Sequence, residues 1–241
     1  MTRHAIAWTL GVAAFLGLFQ VGWGLRVSHD ATVAGGENAT SVGIVPWLYA
    51  REHKGVFPAL DVASGRLAFR EAEVHPGYLV GDKLTGPLED PRQAIIYGYL
   101  DGYKAYTLRP VIHERRYFYL GYAVTSEVEG LAFLDALRAG DVNGADDAAA
   151  PAGRGSFGTD RFYRLREDLA AKLVETGAVS GTAEDLNRRI PLIVERPGNY
   201  DRPGAWVVYL DRHAEFIPYP GPFPMTEAFV KAMEATLPPE E

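Results

Sequence analysis

Apolar runs near the end of the chain predict the part of the fold around which the rest is organised. Residues 190–195 and 205–210 are apolar runs of strand length, and residues 213–219 begin with polar and apolar positions in alternation. Asp211 and Arg212 form the short connection between the last two runs, which predicts a hairpin. A proline-rich stretch follows and ends the sheet, because proline cannot donate to a strand ladder.

Helical spacing of apolar residues predicts helices before and after this sheet. Residues 126–138 begin with Ser126, and Glu129 follows three residues later, which is the spacing of a capping box. Residues 162–176 carry apolar positions at helical spacing, and residues 226–237 close the chain with a further helix. Helices placed around a small antiparallel sheet predict an α+β fold.

The first part of the chain carries a long uncharged segment. Residues 5–25 hold no charged side chain, and at about 1.5 Å per residue a helix of that length crosses a hydrocarbon core of roughly 30 Å. Trp8 and Trp23 lie near its ends, where indole side chains favour the membrane interface. A cleaved signal peptide is the alternative, but no Ala-x-Ala site follows the apolar run. We therefore predict an uncleaved single-pass anchor, with the bulk of the protein outside the cytoplasm, in the periplasm or at the cell surface.

The pattern divides the chain into an anchor, a stem and a head. Residues 1–26 are the predicted anchor, residues 27–60 a linker and helical stem, and residues 61–241 the globular head. Within the head, residues 140–159 are rich in Gly, Ala and Asp, which predicts a mobile surface loop.

Composition narrows the class of protein. Of the 241 residues, 47% are apolar and 12% are aromatic, which suffices for a real core. The formal net charge of −7 argues against nucleic-acid binding, which needs a basic surface. The chain has no cysteine, so disulfides, thiolate metal sites and a cysteine nucleophile are excluded. Asp101 and Gly102, inside the aromatic segment 94–106, predict a second hairpin turn.

Acidic residues and a histidine lie close together in the C-terminal hairpin. A catalytic interpretation would pair a carboxylate among Asp201, Asp211 and Glu215 with His213 as an oriented base. In the simpler interpretation, Asp211 stabilises the turn. His213 and Glu215 are then solvent-exposed residues on the same face of one strand. The six histidines show no metal-ligand spacing, and no Gly-x-Ser-x-Gly or P-loop motif is present. We therefore expect no catalytic residues and no enzyme activity.

Side chains with oxygen ligands alternate in residues 140–147. Asp141, Asn143 and Asp146 are spaced like the start of a calcium loop. The glycine and the closing glutamate of an EF-hand are missing from their positions. Two alternatives follow: a calcium site at these residues, or a flexible acidic loop in a protein without a cofactor.

Residues 48–60, LYAREHKGVFPAL, resemble the sequence that follows the N-terminal helix in bacterial type IV pilin-like and pseudopilin-like proteins. In those proteins the pattern Tyr-Ala-x-Glu-x-x-Gly-x-Phe-Pro ends the helix and leads into the head domain. The matching positions are Tyr49, Ala50, Glu52, Gly55, Phe57 and Pro58.

The C-terminal stretch resembles the motif of a pilin-like group common in planctomycetes, in which a histidine is followed by nine residues and then Asp-Gly. The spacing is kept here, but Asp201 stands at the histidine position and Arg212 follows Asp211 at the glycine position, before His213. Glycine at such a turn supplies a positive φ at little cost, so Arg212 predicts another turn type or some strain. The N-terminus of this chain lacks the processing site of prepilins and the glutamate that belongs to that site. The resemblance therefore implies a pilin-like head on a plain membrane anchor.

The resemblance implies a structural or interaction protein. Its pilin-like α+β domain would be displayed outside the cytoplasmic membrane and would act through protein partners or self-assembly, as a component of a filament or of a secretion-type assembly. The alternative is a surface module that binds calcium or, through its tyrosine-rich strands, a glycan.

Overall fold

The computed structural model describes residues 35–36, 39–40, 42–74, 97–100, 103–108, 117–200 and 202–237. The anchor predicted at residues 5–25, the turn residues Asp101 and Gly102, and Asp201 lie outside the described residues. Within the described ranges, no helix is both long enough and apolar enough to cross a membrane.

Short helices and strands are interleaved along the described residues. Helix α1 occupies residues 42–52, and residues 35–36 and 39–40 before it are also helical. The other helices are α2 (Glu71–Val74), α3 (Glu127–Ala139), α4 (Leu169–Glu175), α5 (Ala183–Arg189) and α6 (Glu227–Glu234). The strands are β1 (Tyr97–Leu100), β2 (Tyr103–Leu108), β3 (Tyr117–Tyr119), β4 (Ala148–Ala149), β5 (Arg161–Phe162), β6 (Pro191–Glu195), β7 (Gly204–Tyr209) and β8 (Ala214–Pro218).

The main sheet has four antiparallel strands in the order β3-β6-β7-β8. Strand β7 pairs Trp206 with Phe216 of β8, and it pairs Val208 with Ile193 of β6. Strands β1 and β2 form a separate antiparallel pair, as do β4 and β5. The predicted α+β fold and the predicted C-terminal hairpin are therefore confirmed.

Both faces of the sheet are covered at its central strands, β6 and β7. A residue and its neighbour on a strand point to opposite faces, so Val207 and Val208 report on the two sides of β7. Their exposed fractions are 0% and 1%. All five residues of β6 are buried as well, which explains why its sequence is a continuous apolar run and not an alternating one.

Helix α1 ends in a tight turn that leads the chain into the core. Lys54 and Gly55 both have left-handed backbone conformations, with φ of 56° and 78°. The N–H of Gly55 donates to the carbonyl of Ala50 at 2.9 Å, which satisfies one of the last carbonyls of the helix. Phe57 follows, is fully buried, and meets the ring of Trp47 edge-on with centroids 5.0 Å apart. The turn therefore fixes the end of the helix to the head.

The predicted capping of α3 is confirmed, with one change of partner. The hydroxyl of Ser126 accepts from the N–H of Glu129 at 3.3 Å. The carboxylate of Glu129 accepts from the N–H of Thr125 at 2.6 Å, one residue earlier than a capping box places this bond. Gly140, with φ of 79°, ends the helix.

The helix predicted over residues 162–176 is wrong for its first half. Phe162 belongs to β5, and helix α4 covers only Leu169–Glu175. Phe162 and Leu165 are fully buried, but the backbone between them is extended, because Arg164 pairs with Tyr122 in an isolated bridge. Apolar spacing of three residues fits this strand-and-turn segment as well as it fits a helix face.

Segment 140–159 contains regular structure that its low-complexity composition did not predict. It includes β4 and a 3₁₀ turn at Ser156–Gly158. The buried hydroxyl of Ser156 donates to the carbonyl of Ala123 at 2.5 Å and accepts from the N–H of Tyr163 at 2.9 Å. Val142 is buried too. Small and polar residues pack here because hydrogen bonds to the neighbouring backbone satisfy their polar atoms.

The side chain of Arg164 joins this segment to the end of the stem. Its Nη1 donates to the carbonyl of Ala145 at 2.6 Å, and its Nη2 donates to the carbonyl of Phe57 at 2.5 Å. The backbone N–H of Arg164 donates to the carboxylate of Asp147 at 2.8 Å, and Asp147 also accepts from Arg166 at 3.0 Å. One guanidinium thus ties together backbone from two distant parts of the chain.

We expect Arg164→Ala to lower the free energy of unfolding by about 2–3 kcal/mol, because two carbonyls in a partly buried site lose charged donors. Arg161→Ala is the matched control, since Arg161 lies on the neighbouring strand β5 with an exposed side chain, and it should change the value by less than about 0.5 kcal/mol. Urea unfolding followed by circular dichroism measures both variants. Similar losses in the two would contradict the role given to Arg164.

Candidate functional site

The tip of the β7–β8 hairpin brings Asp211, Arg212 and His213 together. Asp211 accepts from the backbone N–H of His213 at 3.1 Å and is also hydrogen-bonded to its ring Nδ1. The Nε of Arg188 lies 3.5 Å from the other carboxylate oxygen of Asp211. The ring of His213 stacks on that of Tyr209 with centroids 4.4 Å apart. Asp211 therefore holds the turn and orients the imidazole, while Glu215 lies exposed on β8.

Arg212 takes the left-handed backbone conformation that glycine takes more cheaply. Its φ is 75°, and for a residue with a Cβ this conformation costs roughly 1–2 kcal/mol. Its guanidinium lies over the ring of Trp47 in α1, 4.5 Å from the centroid. Such a cation–π contact contributes about 0.5–2 kcal/mol and offsets the strain. The arginine thus links the hairpin tip to the stem, which a glycine could not do.

Glycines let helix α1 lie directly against strand β7. A Cβ added at Gly36 would lie 2.8 Å from the ring of Trp206, and one added at Gly43 would lie 2.6 Å from Cγ1 of Val208. We call this junction the α1–β7 seam. Its pairs are Gly36, in the helical residues before α1, with Trp206 of β7, then Gly43 of α1 with Val208 of β7, and finally Trp47 of α1 with Arg212 in the turn after β7. Because the order is the same on both elements, the helix and the strand run in the same direction.

A fully buried carboxylate lies at the start of the seam. Glu195, the last residue of β6, accepts from the hydroxyl of Tyr200 at 2.8 and 2.9 Å and from the N–H of Trp206 at 3.1 Å. The side-chain amide of Asn199 donates to it at 3.3 Å. A Cβ on Gly35 would lie 1.7 Å from the hydroxyl oxygen of Tyr200, so the helical segment covers this tyrosine. The network therefore fixes the β6–β7 loop beneath the helix.

Glu195 is a residue of this site that was not predicted from the sequence. Its signal is a glutamate that continues the apolar run of β6 and is followed within five residues by Asn199 and Tyr200, which can donate to it. A carboxylate at a buried strand position requires such donors, because its burial without hydrogen bonds is very costly.

Aromatic side chains collect next to Glu195 at the same end of the sheet. The ring of Phe216 meets those of Tyr200 and Trp206 edge-on, with centroids 5.7 Å apart in both cases. The guanidinium of Arg202 lies 3.6 Å from the centroid of Phe216. We call Tyr200, Arg202, Trp206 and Phe216 the aromatic–arginine cluster. Asp201, which falls between its first two members in the sequence, lies outside the described residues.

The residues of the predicted calcium loop form a turn. The side-chain oxygen of Asn143 accepts from the N–H groups of Ala145 and Asp146, both at 2.9 Å, and its amide donates to the carboxylate of Asp146 at 3.0 Å. Asp141 is exposed. In the part of the chain that the structure describes, no group of three or more His, Cys, Asp or Glu side chains is arranged to hold a metal ion. The oxygen of Asn143 is thus used within its own turn.

Two tyrosines near these sites resist ionisation in the folded state. Burial, with smaller contributions from Glu215 and Asp211, raises the pKa of Tyr209 to about 12, and burial also raises the pKa of Tyr122 to about 12. The unfolded tyrosine ionises near pH 10, so above that pH the unfolded state loses these protons first. The stabilisation is complete below pH 10 and is lost as the pH rises towards 12.

We therefore expect the free energy of unfolding to fall as the pH is raised from 10 to 12, because these two phenols, and those of Tyr119 and Tyr49, whose pKa values burial also raises, hold their protons longer in the folded state. In Tyr209→Phe this fall should be shallower, since one of the contributing groups is gone. Urea unfolding at a series of pH values measures the slope. An unchanged slope in Tyr209→Phe would show that Tyr209 does not carry the effect.

The described residues place charged and aromatic groups along one junction between a helix and a sheet. The buried carboxylate and the aromatic–arginine cluster lie at its start, and the contact of Arg212 with Trp47 lies at its end. These groups are arranged to hold the helix on the sheet. No protein-family model, no curated protein sequence and no solved structure matches this chain.

Proposed function

We propose that this protein is a membrane-anchored, extracytoplasmic, pilin-like protein that acts through protein contacts, as a component of a filament or of a secretion-type assembly. The observation that carries the proposal is the α1–β7 seam. Gly35, Gly36 and Gly43 lie against Tyr200, Trp206 and Val208, so the described part of the stem is fixed to the central strands. A head domain that acts through contacts within an assembly needs a stem that is fixed to it, whereas an independent ligand-binding module can be attached through a flexible linker.

The outer side of the stem supports a contact with a second copy of the chain. Ile44 and Leu48 are 43% and 41% exposed, and their spacing of four residues places them next to each other on α1. Exposed apolar side chains grouped on one helix face mark interaction surfaces more often than scattered ones do. Since the opposite side of α1 is already occupied by the sheet, this face remains for a partner.

Fractionation of cells tests the anchor. We expect the full chain to stay in the membrane pellet after alkaline carbonate extraction, and a variant that lacks residues 1–26 to be released. Protease added to intact spheroplasts should degrade the head. Release of the full chain by carbonate, or degradation of the head only after lysis, would contradict the proposal.

Disulfide trapping tests self-association. The chain has no cysteine, so Leu48→Cys introduces one thiol on the exposed face of α1. We expect oxidised membranes to give several-fold more covalent dimer from Leu48→Cys than from the control Ser180→Cys, whose residue is exposed in the segment between α4 and α5. Electron microscopy of the same membranes would reveal ordered assemblies. Equal dimer yields from both variants would rule out contact through this face.

A further inference from the structure

We propose that strand β8 is an interface between two copies of this chain, which pair their β8 edges antiparallel across a twofold axis at Phe216. The main sheet of one copy would then continue into the main sheet of the other. The inference goes beyond the contact proposed for α1, because Ile44 and Leu48 lie on the helix that covers β7 and not on the edge of the sheet.

Strand β8 ends the main sheet on one side. The order of the strands is β3-β6-β7-β8, and among the described residues β8 pairs with β7 alone. At the other end of the sheet, the N–H of Tyr119 in β3 donates to the carbonyl of Leu67 at 2.8 Å, so a loop occupies that edge. The free side of β8 is therefore the edge at which the sheet can be extended.

The hydrogen bonds to β7 identify which backbone groups of β8 point to the free edge. The N–H of Tyr209 donates to the carbonyl of His213 at 3.0 Å, and the N–H of Tyr219 donates to the carbonyl of Pro203 at 3.5 Å. In an antiparallel pair, alternate residues direct their N–H and C=O groups to the same neighbour. Odd-numbered residues of this strand thus face β7, and even-numbered residues face outward.

The outward residues of β8 are Ala214, Phe216 and Pro218. The first two are partly exposed and Pro218 is exposed. Within the described ranges, the outward N–H groups of Ala214 and Phe216 have no acceptor. Pro218 has no N–H and presents only its carbonyl. The free edge therefore has its donors towards the start of the strand and an end that can only accept.

This arrangement of donors and acceptors is complementary to itself. When Phe216 lies opposite Phe216 of the second copy, each donates its N–H to the carbonyl of the other. The N–H of Ala214 then meets the carbonyl of Pro218 of the second copy, and the symmetric bond forms as well. Every outward N–H of both strands has an acceptor, and only the carbonyl of Ala214 is left to water. An antiparallel copy of β8 is therefore an occupant that fits the edge.

Charge selects this register over the neighbouring one. Glu215 is exposed and is the only charged residue of β8. A pairing centred on Glu215 would place two carboxylates directly opposite each other, where like charges are destabilising. In the pairing centred on Phe216, Glu215 lies opposite Ile217 of the second copy, and the two Phe216 rings become neighbours.

Arg202 is the cation closest to the proposed axis. Its guanidinium lies over the ring of Phe216, 3.6 Å from the centroid, so its counterpart in the second copy would lie across the axis. Both side chains are exposed to solvent, where water and salt screen their repulsion. The cost of this pair of like charges is therefore smaller than that of two directly opposed Glu215 carboxylates.

Disulfide trapping on the full chain in membranes tests the register. In the double variant Ala214→Cys with Pro218→Cys, the two cysteines of one copy lie about 13 Å apart along the strand and cannot pair. In the proposed pairing, residue 214 lies opposite residue 218 of the second copy, with about 5.5 Å between the Cα atoms, which suits a disulfide. The parent chain has no cysteine. We expect several-fold more covalent dimer from the double variant than from either single variant. Equal yields from the double and single variants overturn the proposal.

Glu215→Cys is the control for the neighbouring register. In the proposed pairing, the Cα atoms of residue 215 in the two copies lie diagonally at about 7–8 Å, which is too far for an unstrained disulfide. Its dimer yield should therefore stay at the level of the single variants. A higher yield from Glu215→Cys than from the double variant means pairing around Glu215 and overturns the proposal. A disulfide that joins the double variant mainly to a different protein, identified by mass spectrometry, also overturns it.

Ala214→Pro tests the pairing without a cross-link. The N–H of Ala214 points away from β7, so proline removes only an outward donor, and circular dichroism should match that of the parent. We expect the fraction of dimer of the full chain in mild detergent, measured by light scattering, to fall several-fold. A folded Ala214→Pro protein that is as dimeric as the parent overturns the proposal.

The Leu48→Cys variant separates this inference from the contact proposed for α1. Covalent dimer from Leu48→Cys without dimer from the β8 double variant overturns this inference and leaves the α1 contact standing. The reverse result overturns the α1 contact and leaves the β8 pair, because a twofold contact is closed and needs no further interface. Dimer from both variants means that paired heads are linked further through α1.

Discussion

Gly43→Leu should loosen the whole stem, with a loss of about 3 kcal/mol or more in the free energy of unfolding. Even the first carbon of a side chain at this position would lie 2.6 Å from Cγ1 of Val208. Val208 is 1% exposed and lies in the middle of the sheet, so it cannot move aside without disturbing β6 and β8. Inserting carbon into a packed site costs typically 1–3 kcal/mol, and here the loss of the neighbouring seam contacts adds to it.

Ile44→Leu is the matched control for that variant. Ile44 is the next residue of the same helix and is 43% exposed, so an exchange of similar volume there should change the free energy of unfolding by less than about 0.5 kcal/mol. Urea unfolding followed by circular dichroism gives both values, and protease sensitivity of the stem reports whether the helix has left the sheet. A stable, protease-resistant Gly43→Leu protein would show that α1 does not lie on β7.

Glu195→Ala should be the second most damaging substitution, with a loss of about 3 kcal/mol or more. Tyr200, Trp206 and Asn199 donate to this carboxylate in a fully buried site. Each buried donor that loses its acceptor costs about 1–3 kcal/mol. Glu195→Gln should fall between Glu195→Ala and the parent, because the amide keeps the volume and one acceptor but turns an NH₂ group towards donors.

Two further variants distinguish the loss of the hydrogen bonds to Glu195 from a general loss of packing. Glu215→Ala removes an exposed carboxylate from β8 and should change the free energy of unfolding by less than about 0.5 kcal/mol. Tyr200→Phe combined with Glu195→Ala should cost less than the sum of the single losses, because the two side chains share a hydrogen bond. Additive losses in the double variant would mean that Glu195 and Tyr200 act independently.

Local signals predicted the elements whose partners lie a few residues away. Ser126 caps α3 because its acceptor and the N–H of Glu129 are three residues apart, and the contact of Asp211 with His213 spans two residues. The apolar spacing at residues 162–176 misled the prediction, since Phe162 and Leu165 satisfy it while lying in extended backbone. The spacing of apolar residues indicates which residues are buried, but it does not by itself distinguish a helix from a short extended segment.

The parts of the site that the sequence did not predict depend on residues far apart in the chain. Arg212 was expected to strain its turn, but nothing near it in the sequence indicates that Trp47 would lie beneath the guanidinium. The residues next to Gly36 and Gly43 in the sequence do not indicate why glycine is needed there. The reason is the close approach of Trp206 and Val208 of β7 to these glycines. A single sequence shows the residue types at both positions but not their pairing.

The distance in sequence between the two halves of the seam has a consequence for synthesis. Gly43 and Val208 are separated by 165 positions, and at roughly 5–20 residues per second a ribosome needs on the order of 8–33 s to make the chain between them. During that time the apolar side of α1 has no sheet to lie on. Helix α1 can therefore pack against its sheet only after the last quarter of the chain has been made. Until β7 emerges from the ribosome, the cell has to keep the unfinished protein from aggregating.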